Sequence, residues 1–135
     1  MALGPDASAI GDYTIAVGTD ARARASNSLS VGAFSRALAT SSTAVGPDAK
    51  VFAGADFGLA LGKDAEVMSA AKHGQAIGVA AQAAAARATA IGFLAKATSE
   101  NAIAIGHITR ASGSDSVALG REALAEGTSS HSMGV

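Results

Sequence analysis

The segment Asn101-Ala102-Ile103-Ala104-Ile105-Gly106 returns in near copy from one end of the chain to the other. Its last pair, an apolar residue followed by glycine, recurs at Gly4, Gly18, Gly32, Gly46, Gly62, Gly78, Gly92, Gly106, Gly120 and Gly134, a period of 14 residues broken only by two adjacent steps of 16. The residue before the glycine is Leu3, Val17, Val31, Val45, Leu61, Ile77, Ile91, Ile105, Leu119 or Met133, never a polar one. A unit this short cannot bury a face of its own, so it must stack on its neighbours, and such a period across the whole chain marks a solenoid.

Counted from each glycine, the third residue (Ala7, Ala21, Ser35, Ala49 and their equivalents) and the fifth (Ala9, Ala23, Ala37, Val51) are small, and so is the seventh (Gly11, Ala25, Ala39, Ala53, Ser69). Small residues two apart have strand periodicity and point to one side. Charged residues fill the positions between them, among them Asp20, Asp48, Arg22, Arg36 and Lys50, and must face water. Turn-forming pairs such as Ser26-Asn27, Glu100-Asn101 and Ser114-Asp115 come next. A second strand then carries a small inward residue, Ala16, Ser30, Ala44 or Ala104, two before the closing glycine. The aliphatic residue beside the glycine points the other way, out of the coil.

The expected fold is therefore all-β, a parallel β-roll of about nine coils, residues 1–135, with two short strands per 14-residue coil. Composition agrees with so thin an interior, since alanine alone supplies 35 residues and aromatics only 4%. The alanine-rich segment 79–90 has helix propensity, but its alanines fall on the repeat positions and its neighbours have no helical period. The two 16-residue units place longer turns near 55–58 and 71–74, on one edge of the solenoid. The glycines are expected at a tight bend that excludes a Cβ.

An isolated stack would leave a continuous aliphatic stripe in water, larger than soluble monomers tolerate. Self-association about an axis along the rod would cover Val17, Val31, Val45, Leu61, Ile77, Ile91, Ile105 and Leu119, and two-fold and three-fold packing satisfy that argument equally. Segments such as Asn27-Ser28-Leu29-Ser30-Val31-Gly32 and Asp115-Ser116-Val117-Ala118-Leu119-Gly120 resemble the head repeat of YadA-type trimeric autotransporter adhesins, and the resemblance spans the full chain. It implies a left-handed β-roll, a homotrimer about one axis, and display on a Gram-negative cell surface with an outer-membrane anchor in sequence not present here, making this a fragment of a larger surface protein. It also implies attachment to a host extracellular-matrix protein or cell-surface receptor. A structural spacer that projects another binding domain is the alternative.

Other classes are disfavoured. His73, His107 and His131 fall at three different repeat positions, without the partner spacing of a catalytic or metal site, so no enzyme activity, metal or cofactor is expected. The 14-residue period does not match the six-residue repeat of β-helical acyltransferases, and Thr43 and Thr89 alternate with residues that spoil an ice-binding threonine array. A net charge of −1 shows no basic surplus for nucleic acid, and no apolar run is long enough for membrane insertion by this segment. Asp20 with Arg22 and Asp48 with Lys50 read as a solvated ion-pair lattice. Ile10, Leu38, Phe52 and Met68 replace the polar residue expected at the outward sixth position, and with nearby Phe57 they are the candidate ligand surface.

Overall fold

The computed structural model describes all 135 residues and contains strands and turns but no helix. Segment 79–90 supplies the short strand Gln82–Ala83 and the start of Thr89–Ile91, as the repeat requires. Strands alternate between two parallel sheets. Ten strands, from Ala2–Leu3 through Ile15–Val17 to His131–Met133, form one, and nine two-residue strands, from Ser8–Ala9 to Leu124–Ala125, form the other. Pairing has no offset: Ala76 lies beside Ala90, Ala90 beside Ala104 and Ala104 beside Ala118. Each repeat position thus becomes a column running along a stack about 43 Å tall at about 4.8 Å per rung.

Every buried apolar side chain between the sheets is alanine except Val51 and Val67. The sequence pattern missed one inward column, the residue four before each glycine, which includes Thr14, Ser28, Ser42, Gly58, Gly74, Ala88 and Ala102. Three of its hydroxyls are satisfied locally, Thr14 donating to the Gly11 carbonyl, Ser28 to Ala25 and Ser42 to Ala39 at 2.6–2.8 Å, whereas those of Ser116 and Ser130 in the last coils have no partner.

Two turns close each coil, and both carry a residue in the left-handed region. At the glycine edge the Ala7 amide donates to the Gly4 carbonyl at 3.2 Å, with Asp6 at φ 57. Pro5 and Pro47 precede the left-handed residue, where a type II turn favours proline. At the other edge Tyr13, Asn27, Asn101, Asp115 and Ser129 have φ of 54–58, matching the turns expected from sequence. The repeat glycines sit at the bend as anticipated. Gly32 has φ +128, and a Cβ there would meet the carbonyl carbon and oxygen of Gly46 at 2.6 Å.

The two long coils each insert a complete extra turn. Ala55 donates to the Phe52 carbonyl and Ala71 to that of Met68, while Phe57 and His73 stay in the left-handed column through bonds to the Thr40 and Asp56 carbonyls. The added residues are therefore Ala53-Gly54 and Ser69-Ala70, just ahead of 55–58 and 71–74. Ala53 and Ser69, expected inside, are exposed, and Ala55 and Ala71 take the interior place. Core volume is redistributed in the same coils: Val51 and Val67 replace alanine, and the facing residues are Gly58 and Gly74.

Candidate functional site

The outer face of the ten-stranded sheet consists of two columns. Val17, Val31, Val45, Leu61, Ile77, Ile91, Ile105 and Leu119 form one in unbroken register. Ile15, Leu29, Thr43, Leu59, Gln75, Thr89, Ile103 and Val117 form the other. No Asp, Glu, Lys or Arg stands on this face. In the single chain these side chains are half-buried or exposed, with Leu61 at 39% and Ile105 and Leu119 at 37%.

The outer face of the nine-stranded sheet differs in kind. One column reads Ser8, Arg22, Arg36, Lys50, Glu66, Gln82, Lys96, Arg110 and Leu124. Beside it, hydrogen bonds from Leu38 to Val51, Phe52 to Val67 and Met68 to Ala83 set Leu38, Phe52 and Met68 on consecutive rungs. Those three make a contiguous apolar strip of half-buried side chains at the long coils. Ile10 is exposed and stands apart, with Arg24 on the rung between it and Leu38. Phe57 belongs to the turn edge instead, where its ring stacks on His73 at 4.9 Å between centroids, so its aromatic neighbour is His73.

Arg22 and Asp20 pair at 2.8 Å, as the sequence spacing proposed. Lys50 does not pair with Asp48; its partner is Glu66 on the next rung at 3.9 Å. The rung beyond Arg22 offers only Arg36, whereas the rung beyond Lys50 offers a carboxylate in register. The ion-pair lattice is therefore incomplete.

Sequence reasoning passed over a second apolar group at the glycine edge, where Val79, Phe93, Leu94 and Ile108 occupy columns that hold Pro5, Asp6, Asp20, Pro47 and Asp48 in earlier coils. Phe93 stacks on His107 at 5.2 Å. Leu94, Ile108 and Leu124 line a groove of about 460 Å³ together with Lys96, Arg110 and Glu122. The signal was available, since these residues replace turn formers in a left-handed position that Ile108 holds at φ 55.

The YadA head domain repeat model matches residues 1–21, 23–49, 37–65, 76–95, 87–107, 97–123 and 111–130. Among solved structures, the collagen-binding domain of the Yersinia adhesin YadA is similar with a TM-score of 0.85 at 32% identity, covering 95% of this chain and 69% of that one. No curated protein matches in sequence. With in-register coils of the same repeat along most of its length, the chain belongs to the YadA head family and is an adhesin head domain.

Proposed function

We propose that this head acts as one of three identical chains in left-handed rolls around a common axis, displayed on a Gram-negative surface, and that it attaches the cell to host extracellular matrix. The observation that carries the assembly is the ten-stranded face, which bears an unbroken aliphatic column from Val17 to Leu119 and no Asp, Glu, Lys or Arg, its polar members being Thr43, Gln75, Thr89 and His131 in the second column. An exposed stripe of that size is stabilised by covering, and a symmetry axis along the rod gives every rung the same neighbour. Val17 through Leu119 are then the trimer contacts, and the nine-stranded face turns outward. Collagen is the first ligand to try, because the similar YadA structure is a collagen-binding domain.

The contact surface within this reading is the strip Leu38, Phe52 and Met68, with Phe57 on the adjoining edge and Ile10 as an outlying member. Phe52, Phe57 and Met68 lie in the chain's only two 16-residue coils, and Leu38 is on the rung before them. Solid-phase binding to collagen, laminin and fibronectin, with Phe52→Ser/Phe57→Ser beside the parent, tests it. Loss of two anchoring aromatics should weaken binding by about 2 kcal/mol, roughly 30-fold, with melting and mass little changed. Binding that survives, or falls only in step with melting, assigns these rings to structure. A parent that binds no matrix protein or host cell is a spacer.

A further inference from the structure

The net charge of −1 conceals a segregation by face. Six of the ten cations, Arg22, Arg24, Arg36, Lys50, Lys96 and Arg110, stand on the outer side of the nine-stranded sheet, with only two of the eleven acids, Glu66 and Glu126. The other nine acids lie on the two turn edges, so a slightly acidic chain presents one basic strip.

The strip is not required by the fold. Arg22, Arg36 and Lys50 occupy consecutive rungs in register, as do Lys96 and Arg110, and like charges facing across strands about 4.8 Å apart are unfavourable. Ser8, Gln82 and Leu124 show that the same column accepts neutral residues. Internal acids neutralise only Arg22 and Lys50; Arg24, Arg36, Lys96 and Arg110 have no salt-bridge partner. The Nε of Arg36 is buried without a hydrogen-bond acceptor.

We infer that this face is a track for a linear sulfated polysaccharide lying along the rod, with Arg24 and Arg36 as one contact and Lys96 and Arg110 as the other. The inference rests on the proposal that the opposite, uncharged face is the one buried between protomers. Arg36 and Lys96 are four rungs apart, about 19 Å, so a single small anion cannot bridge them while a polyanionic chain engages both and gains from their linkage. A sulfated chain fits better than a single-stranded nucleic acid, whose bases need ranks of aromatic side chains to stack on. Phe52 is the only aromatic residue on this face.

The test titrates the 135-residue chain with heparin, fully desulfated heparin and single-stranded oligothymidylate. Four ionic contacts predict a heparin affinity that falls roughly 50-fold between about 50 mM and about 200 mM salt. Arg36→Ser/Arg110→Ser should lose about tenfold or more at low salt, whereas Lys63→Ser/Lys72→Ser, the same charge change on the turn edges, should leave binding near the parent value. No heparin binding at low salt, equal loss in both double variants, or equal affinity for the fully desulfated chain overturns the track. Tighter binding of thymidylate reassigns the strip to nucleic acid, and salt-reversible growth in mass without heparin assigns it to the acidic edge of another copy. Light scattering on the same samples separates the two proposals: failed heparin binding by an intact trimer rejects the track alone, and a monomer rejects the assembly beneath it.

Discussion

Replacing Gly32 by alanine probes the stacking of coils at its tightest point. The backbone there has φ +128, and a Cβ would lie 2.6 Å from the carbonyl carbon and oxygen of Gly46, atoms that cannot rotate away. Holding an L-residue in that region costs about 1–3 kcal/mol. Relieving the clash means parting the bends of two adjacent coils, which weakens the bonds from the Gly46 amide to Val31 and from the Asp48 amide to Ala33, 2.8 and 2.9 Å long. At about 1 kcal/mol per bond the total is about 3–5 kcal/mol, or about 10–20 °C in melting temperature for a chain of this size. Two other glycines supply the scale. At Gly54, φ +93 is strained but the nearest atom to a Cβ is the Ser69 carbonyl oxygen at 3.0 Å, so alanine should cost about 1–2 kcal/mol. At Gly127 a Cβ meets nothing closer than 3.6 Å and φ is not positive, so alanine should be neutral or stabilising by about 0.4–1 kcal/mol. Thermal and urea unfolding of the three variants in parallel would give that order. A Gly32→Ala protein melting within a few degrees of the parent, or three variants that melt alike, would refute the close approach of the coils.

Ala104→Leu should destabilise by about 1–3 kcal/mol, because Ala104 is fully buried between sheets that leave no room for a larger side chain; urea unfolding reads the loss, and an unchanged midpoint would contradict it. Gly58→Ala should cost a similar amount, since its Cβ would lie 2.8 Å from Val51 Cγ1 and from the Ala55 carbonyl oxygen. Adding Val51→Ala should recover part of that loss, giving a favourable coupling in a double-mutant cycle. Strict additivity would mean that the valine-for-glycine exchange in the long coils is not a packing compensation.

The coils were legible because zero-offset stacking converts a sequence period directly into columns: Ile91, Ile105 and Leu119 recur every 14 residues and lie side by side. The buried Ser28 and Ser42 were not, since serine before a strand looks like a turn residue, and the bond each makes to a carbonyl three residues back, which offsets the cost of burial, shows only in the folded coil. The extra turn was misplaced by two residues because Ala53 and Ala55 are equally small, and the Phe57 hydrogen bond to Thr40 decides between them. Spacing along one strand proposed Asp48 for Lys50, whereas the partner is Glu66 in the next rung, a relation visible only once register is known. The outward position of Leu38, Phe52 and Met68 followed from alternation, but Ile10 and Phe57 lie off their strip because adjacency on the face depends on rungs and edges.

The central claim, that the uncharged face is covered by two further copies of the chain, is tested most directly by light scattering on a dilution series into the micromolar range. The account predicts a mass of three times the 13.0 kDa chain, held on dilution. It also predicts that Ile77→Asp or Ile91→Asp abolishes assembly, because a carboxylate buried beside two symmetry copies has no partner and costs several kcal/mol. A folded monomer at micromolar concentration, or a trimer that forms unchanged with aspartate at Ile77 or Ile91, would contradict it.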